Sequence, residues 1–376
     1  MFKLSHYKGQ INRNLSNLPG WRTKHKIVVI ESDDWGSIRM PSPDTFEQLL
    51  IQGVDLTRGD AGRYNLNDTL ATSNDLAGLF ELLSSFRDKH NRSAIVTAVS
   101  VIANPDFEKI KKNGFQEYFY EPFTETLKKM PGCEYSFDLW KEGIQNHLFV
   151  PQFHGREHLN IAVWMRALQQ GDAHTLAAFN RGCWGFSNQH RLGISYQAAF
   201  ELEYFSDLES QKEIVRTGLK LFEKLLGYKA TFFVPPNGPF NNELESVAVL
   251  EGIKYISGSK IQYESLGEGK THRVFHWLGQ KNKYGQRYIT RNCFFEPSQQ
   301  GKDWVDSCLR DIEIAFRWHK PAIISSHRVN YIGALDPKNR VNGLSQLAIL
   351  LQRILKKWPD VAFMTSDKLG DLIVEK

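Results

Sequence analysis

The sequence predicts an α/β fold with parallel strands, on the evidence of three observations. Short apolar runs alternate with longer amphipathic stretches along the 376-residue chain. Polar or turn residues bound each apolar run, as expected of buried strands. Several of the runs are followed directly by Asp, Asn or His, at the strand ends where α/β folds collect their functional residues.

Six strands and six helices account for this alternation. The predicted strands are Lys26–Ile30, Ser93–Val101, Ala230–Val234, Tyr255–Ser257, Ala322–Ser325 and Val361–Thr365. The predicted helices are Asn74–Lys89, His158–Gln169, Ser206–Leu226, Asn242–Glu251, Trp304–Trp318 and Leu344–Trp358. In the last of these, leucine and isoleucine recur with the period of an amphipathic helix.

The domain organisation predicted is a basic N-terminal arm over residues 1–25 and a single domain over 26–376. Two stretches interrupt the alternation and are interpreted as insertions, at about 104–150 and 172–205. The second is rich in aromatic residues, which favours a satellite core over sugar stacking for any single ring.

Charge is concentrated at the N-terminus. Residues 1–26 carry six lysine or arginine residues and no acidic residue, whereas the whole chain has a net charge of +5. This arm is expected to pack over the rim of the fold, and the alternative is contact with an anionic glycan, a phosphate group or a membrane surface. Basic and aromatic residues are not interleaved, so no nucleic-acid partner is expected.

The cysteine pattern and the hydropathy bear on location. The spacing of the four cysteines is typical of neither a zinc knuckle nor a disulfide framework. They are therefore expected to be small buried residues in a reducing compartment. The basic start is not followed by the apolar segment of a signal peptide, and no apolar run reaches the length of a transmembrane helix. The predicted location is therefore cytoplasmic.

Asp33 and Asp34 are the first candidate site residues. They end the apolar run Lys26–Ile30, and the turn residue Gly36 follows. Adjacent carboxylates repel unless a cation stabilises them. A metal ion on Asp34 would keep both ionised, and Asp33 could then take a proton from an attacking water.

His154 and His158 are candidate metal ligands. They stand four residues apart, a spacing that places both imidazoles on one face of a helix. One carboxylate and two imidazoles can form a three-ligand metal site with open positions. Gly155 stands where a zinc protease of the His-Glu-x-x-His type has its glutamate, which disfavours that class.

Two further strand ends contribute candidates. His327 closes the predicted strand Ala322–Ser325 and is either a rim residue or a general acid that protonates a leaving amine. The turn Pro235–Gly238 is either a simple strand-ending loop or a device that aims a backbone N–H at a developing oxyanion.

Taken in order, these segments resemble the polysaccharide deacetylases of carbohydrate esterase family 4, the nodulation-type deacetylase domain. The family's strand ending in Asp-Asp is matched by Glu31–Gly36, and its His-x-x-x-His motif by His154–His158. Its strand with a Pro-Tyr-type turn is matched by Phe233–Gly238, and its strand ending in histidine by Ile324–His327. The tail Val361–Leu369 looks like the family's final strand and helix.

This resemblance, which runs from about residue 26 to 373, implies a distorted (β/α) barrel and metal-dependent removal of N- or O-linked acetyl groups from sugars. It implies Asp33 as general base and His327 as general acid. The backbone N–H of Asn237 would stabilise the oxyanion. The metal ligands implied are Asp34, His154 and His158, and the metal is zinc in most of the family.

Two positions depart from the family pattern. Val234 stands where the family has the arginine that orients the base, and Arg39, Arg156 and Arg328 are the candidates to replace it. Asn237 replaces the usual tyrosine, a change that leaves a backbone donor in place.

The function predicted is a metal-dependent deacetylase acting on an acetylated sugar or a glycan precursor. One alternative is a hydrolase of the same fold that cleaves C–N bonds in a small cyclic amide or ureide, with the 104–150 segment closing the cleft. The other is a member that binds glycan without turnover, which loss of the motif arginine would favour. The oligomeric state is left open.

Overall fold

The computed structural model describes residues 12–58 and 61–375. Its strands are β1 (Ile27–Trp35), β2 (Val96–Val101), β3 (Ala103–Pro105), β4 (Tyr120–Pro122), β5 (Phe149–Gly155), β6 (Phe232–Phe233), β7 (Tyr255–Gly258), β8 (Ile261–Gly267), β9 (Lys270–Phe275), β10 (Arg287–Thr290), β11 (Cys293–Phe294), β12 (Ala322–His327) and β13 (Ala362–Phe363).

The α-helices that follow β1 surround these strands. They are α1 (Pro43–Ile51), α2 (Ala61–Asn67), α3 (Ser73–Ser85), α4 (Phe107–Lys112), α5 (Phe123–Lys129), α6 (Ser136–Gln145), α7 (Ile161–Gln169), α8 (Ala173–Phe179), α9 (Asp207–Leu226), α10 (Leu244–Leu250), α11 (Trp304–Arg317), α12 (Pro337–Lys357) and α13 (Ser366–Val374).

One sheet of nine strands dominates the described part of the chain, in the order β10-β7-β6-β5-β2-β1-β12-β11, with β13 also paired to β1. Every pairing in it is parallel. The two end strands, β10 and β11, are separated in the chain only by Arg291 and Asn292. The sheet therefore curls until its two edges meet at this link, which confirms the predicted distorted (β/α) barrel.

The main core lies between the sheet and the surrounding helices. All nine residues of β1 are buried, and so are the six of β2. Helix α12 presents Leu347, Leu351 and Ile354 to this core, while Ile349 on its other side is 44% exposed. The leucine and isoleucine periodicity that predicted this helix therefore corresponds to its buried face.

Strand β5 is one of the barrel strands that the sequence did not predict. It carries His154, and its last residue is Gly155. Helix α7 begins only at Ile161, because the side chain of Asn160 accepts a hydrogen bond from Val163 N and caps it. The helical interpretation of the histidine pair is therefore wrong: one imidazole lies on a strand and the other in the following loop.

The two predicted insertions remain an interpretation, and the first contributes Phe123, Leu127 and Trp140 to the main core. Residues 104–150 contain most of the antiparallel β3–β4 pair and helices α4 to α6. Four aromatic residues of 172–205 lie in a second core against α7, as the satellite-core interpretation expects; they are Phe179, Trp184, Phe186 and Tyr196. Tyr204 and Phe205 are exposed instead, at 37% and 56%.

The described part of the N-terminal arm is fixed to the barrel. Buried Lys320 donates hydrogen bonds to the carbonyls of Pro19, Gly20 and Trp21, at 2.7, 2.6 and 2.8 Å. Residues 1–11 of the predicted arm lie outside the described residues.

Two further findings concern the cysteines and the helices. All four cysteines are buried and unpaired. Among the described residues, no helix combines the length and the apolar character needed to cross a membrane.

Candidate active site

The site begins at the C-terminal end of β1. Asp33 lies opposite His327 in the parallel register between β1 and β12. Asp34, the next residue, has a φ of +76°, a left-handed conformation that is costly for aspartate. This bend lets the two adjacent carboxylates enter different surroundings.

Asp34, His154 and His158 form one buried cluster. Their ligand atoms all lie within 4.8 Å of one another. Asp34 Oδ1 lies 3.4 Å from His154 Nε2 and 3.1 Å from His158 Nε2. The Nδ1 of His154 donates to the carbonyl of Val234 at 2.6 Å, which leaves its Nε2 lone pair directed at the cluster. The three residues predicted as metal ligands are thus brought together.

These residues fit a divalent cation. Burial lowers the pKa of His158 to about 4, against the raising influence of Asp34, so this imidazole is neutral and can donate its lone pair. Burial opposes ionisation of Asp34, but His158 and His154 outweigh it, and the pKa of Asp34 lies well below its usual range. One carboxylate with two imidazoles is a donor set typical of catalytic zinc.

Arg291 holds Asp33 in a two-pronged ion pair. Its Nη1 and Nη2 each lie 2.6 Å from one carboxylate oxygen of Asp33. Its Nε donates to Glu31 at 2.5 Å, and Glu31 also accepts from Ser366 Oγ at 2.8 Å. Burial would raise the pKa of Asp33, but Arg291 outweighs it and the pKa is lowered. Asp33 is therefore an ionised, oriented carboxylate.

The three arginines proposed from the sequence do not orient Asp33. Arg156 is paired with Glu157 at 2.7 Å. Arg328 is fully buried against Asp68, and its Nη2 lies 2.8 Å from that carboxylate.

Arg39 lies on the metal-ligand side of the site. Its Nη2 is 3.7 Å from Asp34 Oδ2, and its Nε is 3.4 Å from Asp68 Oδ2. The arginine that orients Asp33 therefore comes from the β10–β11 link, and sequence reasoning missed it. The short run Tyr288–Thr290 before it was the available signal, a polar residue following a strand.

Glu296 holds His327. The Nδ1 of His327 donates to Glu296 Oε1 at 2.6 Å, and its Nε2 faces Asp33 Oδ2 at 3.9 Å. Burial opposes the charge of His327, but Glu296 outweighs it and raises the pKa to about 9. Arg63 and Asn330 bind the other carboxylate oxygen of Glu296. His327 is therefore protonated near neutral pH, and the sequence did not reveal its partner.

Asp33, Asp34, His154, His158, Asn237 and His327 all line one cavity of about 720 Å³. This is a size typical of small-molecule sites. Asn237 has a φ of +56° in the turn after β6. The site residues predicted from the sequence thus share one space.

Comparison with known proteins gives similarity of fold only. No protein-family model matches the sequence, and no curated protein shows a significant match. Among solved structures, the chain is similar to a putative polysaccharide deacetylase from Mycobacterium smegmatis, with 9% identity, a TM-score of 0.45 and coverage of 95% of this chain and 93% of that one.

Two other solved structures are matched over most of this chain. An allantoinase has 10% identity and a TM-score of 0.44, with 93% of this chain and 91% of that chain covered. A 4-alpha-glucanotransferase from Thermococcus litoralis has 11% identity and a TM-score of 0.44, with 94% of this chain covered. The chain spans only 40% of the length of that protein.

Proposed function

We propose that this chain is a metal-dependent hydrolase that removes acetyl groups from a sugar or a glycan precursor. The observation that supports it is the convergence, in one cavity, of three ligand atoms within 4.8 Å, an arginine-held carboxylate and a carboxylate-held imidazole. A metal site, a general base and a general acid are the three parts that metal-dependent hydrolysis with an amine leaving group uses.

Asp34, His154 and His158 would hold the ion. A bound divalent cation there would supply Lewis-acid polarisation of the acetyl carbonyl and make a water more acidic. The tautomer of His154 is already fixed by the Val234 carbonyl, so the chain contributes a pre-oriented ligand.

Asp33 acts as the general base. Its low pKa, maintained by Arg291, keeps it ionised and able to take a proton from the attacking water. As that oxygen bonds to the carbonyl carbon, negative charge develops on the acetyl oxygen. The backbone N–H of Asn237, in the turn beside the cavity, is the proposed donor to that oxygen.

His327 acts as the general acid. With its pKa raised to about 9 by Glu296, it carries a proton at neutral pH and gives it to the leaving nitrogen or oxygen as the bond to the acetyl carbon breaks. A low pKa on the base and a high one on the acid divide the two roles between neighbouring groups.

Acetate release is the direct test. Full-length protein, loaded with zinc, is assayed on N-acetylated and O-acetylated sugars, with chelator-treated protein as the control. We expect about one ion per chain on zinc loading and acetate release that the chelator abolishes. Protein that retains no divalent metal, or that releases acetate equally well after chelation, contradicts the proposal.

The alternatives have less support. None of the residues lining the cavity comes from 104–150, the segment whose closure would favour a small cyclic amide or ureide. The missing motif arginine was the main support for a non-catalytic glycan-binding protein. Arg291 pairs with Asp33 in place of that arginine, which removes this support. Including allantoin in the assay, with ureide hydrolysis as the readout, separates the first alternative from the deacetylase.

A further inference from the structure

One part of the active-site cavity, called here its Lys260–Arg13 end, is lined by residues outside the catalytic set, with a contribution from the N-terminal segment. Arg13, Ser16 and Asn17 line it, together with Lys260 and Asp311. This end therefore contains two cations and one carboxylate. No step in the hydrolysis uses any of them.

Lys260 is the unusual residue of this group. It is half-buried, and burial lowers the pKa of its ammonium group. Its Nζ donates to Ser16 O at 2.8 Å and to Ser16 Oγ at 3.0 Å, both neutral acceptors. Among the described residues, no carboxylate forms an ion pair with it. An ammonium group has three N–H donors, and the described residues accept from two of them, which leaves the third to serve a ligand.

The carboxylate of this region is already neutralised. Asp311 is buried and lies 3.0 Å from Arg13 Nη1. The Arg13 side chain is 42% exposed, and a guanidinium has further donors beyond the one it directs at Asp311. Counted over the described residues, this end of the cavity has an uncompensated positive charge, which favours an anionic ligand.

The position of this end relative to the reaction centre is fixed by the β10–β11 link. Arg291 of that link holds Asp33, and the next residue, Asn292, donates from Nδ2 to Asn17 Oδ1 at 3.1 Å. Ile261 and Phe294 line the same cavity. A sugar whose acetyl group reaches Asp33 can therefore extend toward Lys260 without leaving the cavity.

We propose that the Lys260–Arg13 end of the cavity binds a carboxylate or phosphate group carried by the acetylated sugar substrate. This inference rests on the proposed function for the other end of the site, and it names the substrate class as an anionic acetylated sugar. It also gives the basic N-terminal segment a role, since Ser16 positions the ammonium group and Arg13 contributes charge.

The test measures binding rather than turnover. Full-length, metal-loaded His327→Gln protein, in which acetate release is slow, is titrated by calorimetry with N-acetylglucosamine, N-acetylglucosamine 6-phosphate and N-acetylmuramic acid. The phosphate and carboxylate arms distinguish the two sources of the anion. The same titrations are made with double variants, in which His327→Gln is combined with Lys260→Met, with Arg13→Gln or, as the matched control, with Lys270→Met. Lys270 is an exposed lysine that pairs with Glu268 on the neighbouring β8–β9 hairpin.

We expect at least one anionic sugar to bind about 10-fold or more tightly than the neutral one, as a charge-assisted hydrogen bond can provide. Lys260→Met should remove most of this preference and Arg13→Gln part of it, whereas Lys270→Met should leave it unchanged. Equal binding of all three sugars, no binding of any, or a preference that survives Lys260→Met overturns the inference. If anionic sugars bind preferentially but unmodified protein releases no acetate, the anion site stands and the proposed deacetylase activity is rejected.

Discussion

The two halves of the site, on either side of the Asp33–Asp34 pair, are built differently. The metal half is Asp34, His154 and His158, all at most 4% exposed and contributed by β1, β5 and the loop after β5. The proton-transfer half pairs Asp33 with Arg291 and His327 with Glu296, and the side chain of His327 is 24% exposed.

This difference shows how one strand end can serve two kinds of chemistry. Asp34 faces two imidazoles, with the Arg39 guanidinium 3.7 Å away, and is the proposed carboxylate ligand of an ion. Arg291 balances Asp33 within the protein, so that carboxylate stays ionised without a ligand. The left-handed Asp34 backbone is what separates the two environments over a single residue.

Removing a ligand should have the largest effect. Asp34→Ala takes away the carboxylate that both imidazoles face, so we expect loss of bound zinc and acetate release at background level. Metal content by atomic emission, measured beside activity, checks this. Unchanged acetate release in Asp34→Ala would remove the distinction between the halves.

Asp33→Asn is the matched change in the other half. The same kind of carboxylate is lost one residue away, but no proposed ligand is touched. We expect zinc to be retained and kcat to fall by roughly 100- to 10,000-fold, the usual contribution of a general base. Loss of zinc from this variant would show that the two halves are one metal site.

Arg291→Lys tests the positioning of the base. Lysine keeps the positive charge but cannot make the parallel contacts to both oxygens of Asp33, so we expect kcat to fall about 10- to 100-fold with zinc retained. Arg287→Lys, on the same stretch of chain but bonded to the Gly279 carbonyl, is the control and should stay near the unmodified rate. Equal effects of the two substitutions would assign Arg291 a structural role only.

The same two halves show how far sequence reasoning extends. Asp34, His154 and His158 were found because their patterns are local, as were Asp33 and His327 at strand ends. Arg291 was missed because it is 258 residues from Asp33 in the chain and follows a four-residue strand that leaves almost no periodic signal.

Strand β5 escaped prediction for a different physical reason. Gln152 interrupts its apolar run, yet this side chain is buried because its Oε1 accepts hydrogen bonds from Thr231 N and Phe232 N at the start of β6. Helix α12 was predicted to start at Leu344, seven residues late. Its signals were the Asp336 cap and Pro337 in the first turn, which a search for apolar periodicity does not register.

The smallest expected effect at neutral pH, and the sharpest test of the proton-transfer half, comes from Glu296→Gln. Protonated His327 is the active acid, and Glu296 raises its pKa to about 9, so activity of the unmodified protein should fall as the pH rises through that value. Glutamine keeps the shape but not the negative charge. The pKa of His327 should then drop, and the alkaline limb of kcat/KM should move to lower pH.

The control is Glu313→Gln, which removes a partly exposed carboxylate on α11 that pairs with Lys357. It changes the net charge by the same amount far from His327, so its alkaline limb should coincide with that of the unmodified protein. If Glu296→Gln also leaves the limb in place while zinc is retained, the group titrating there is not His327. The proton for the leaving group would then have to come from the metal half, and the division of roles between Asp33 and Asp34 would no longer hold.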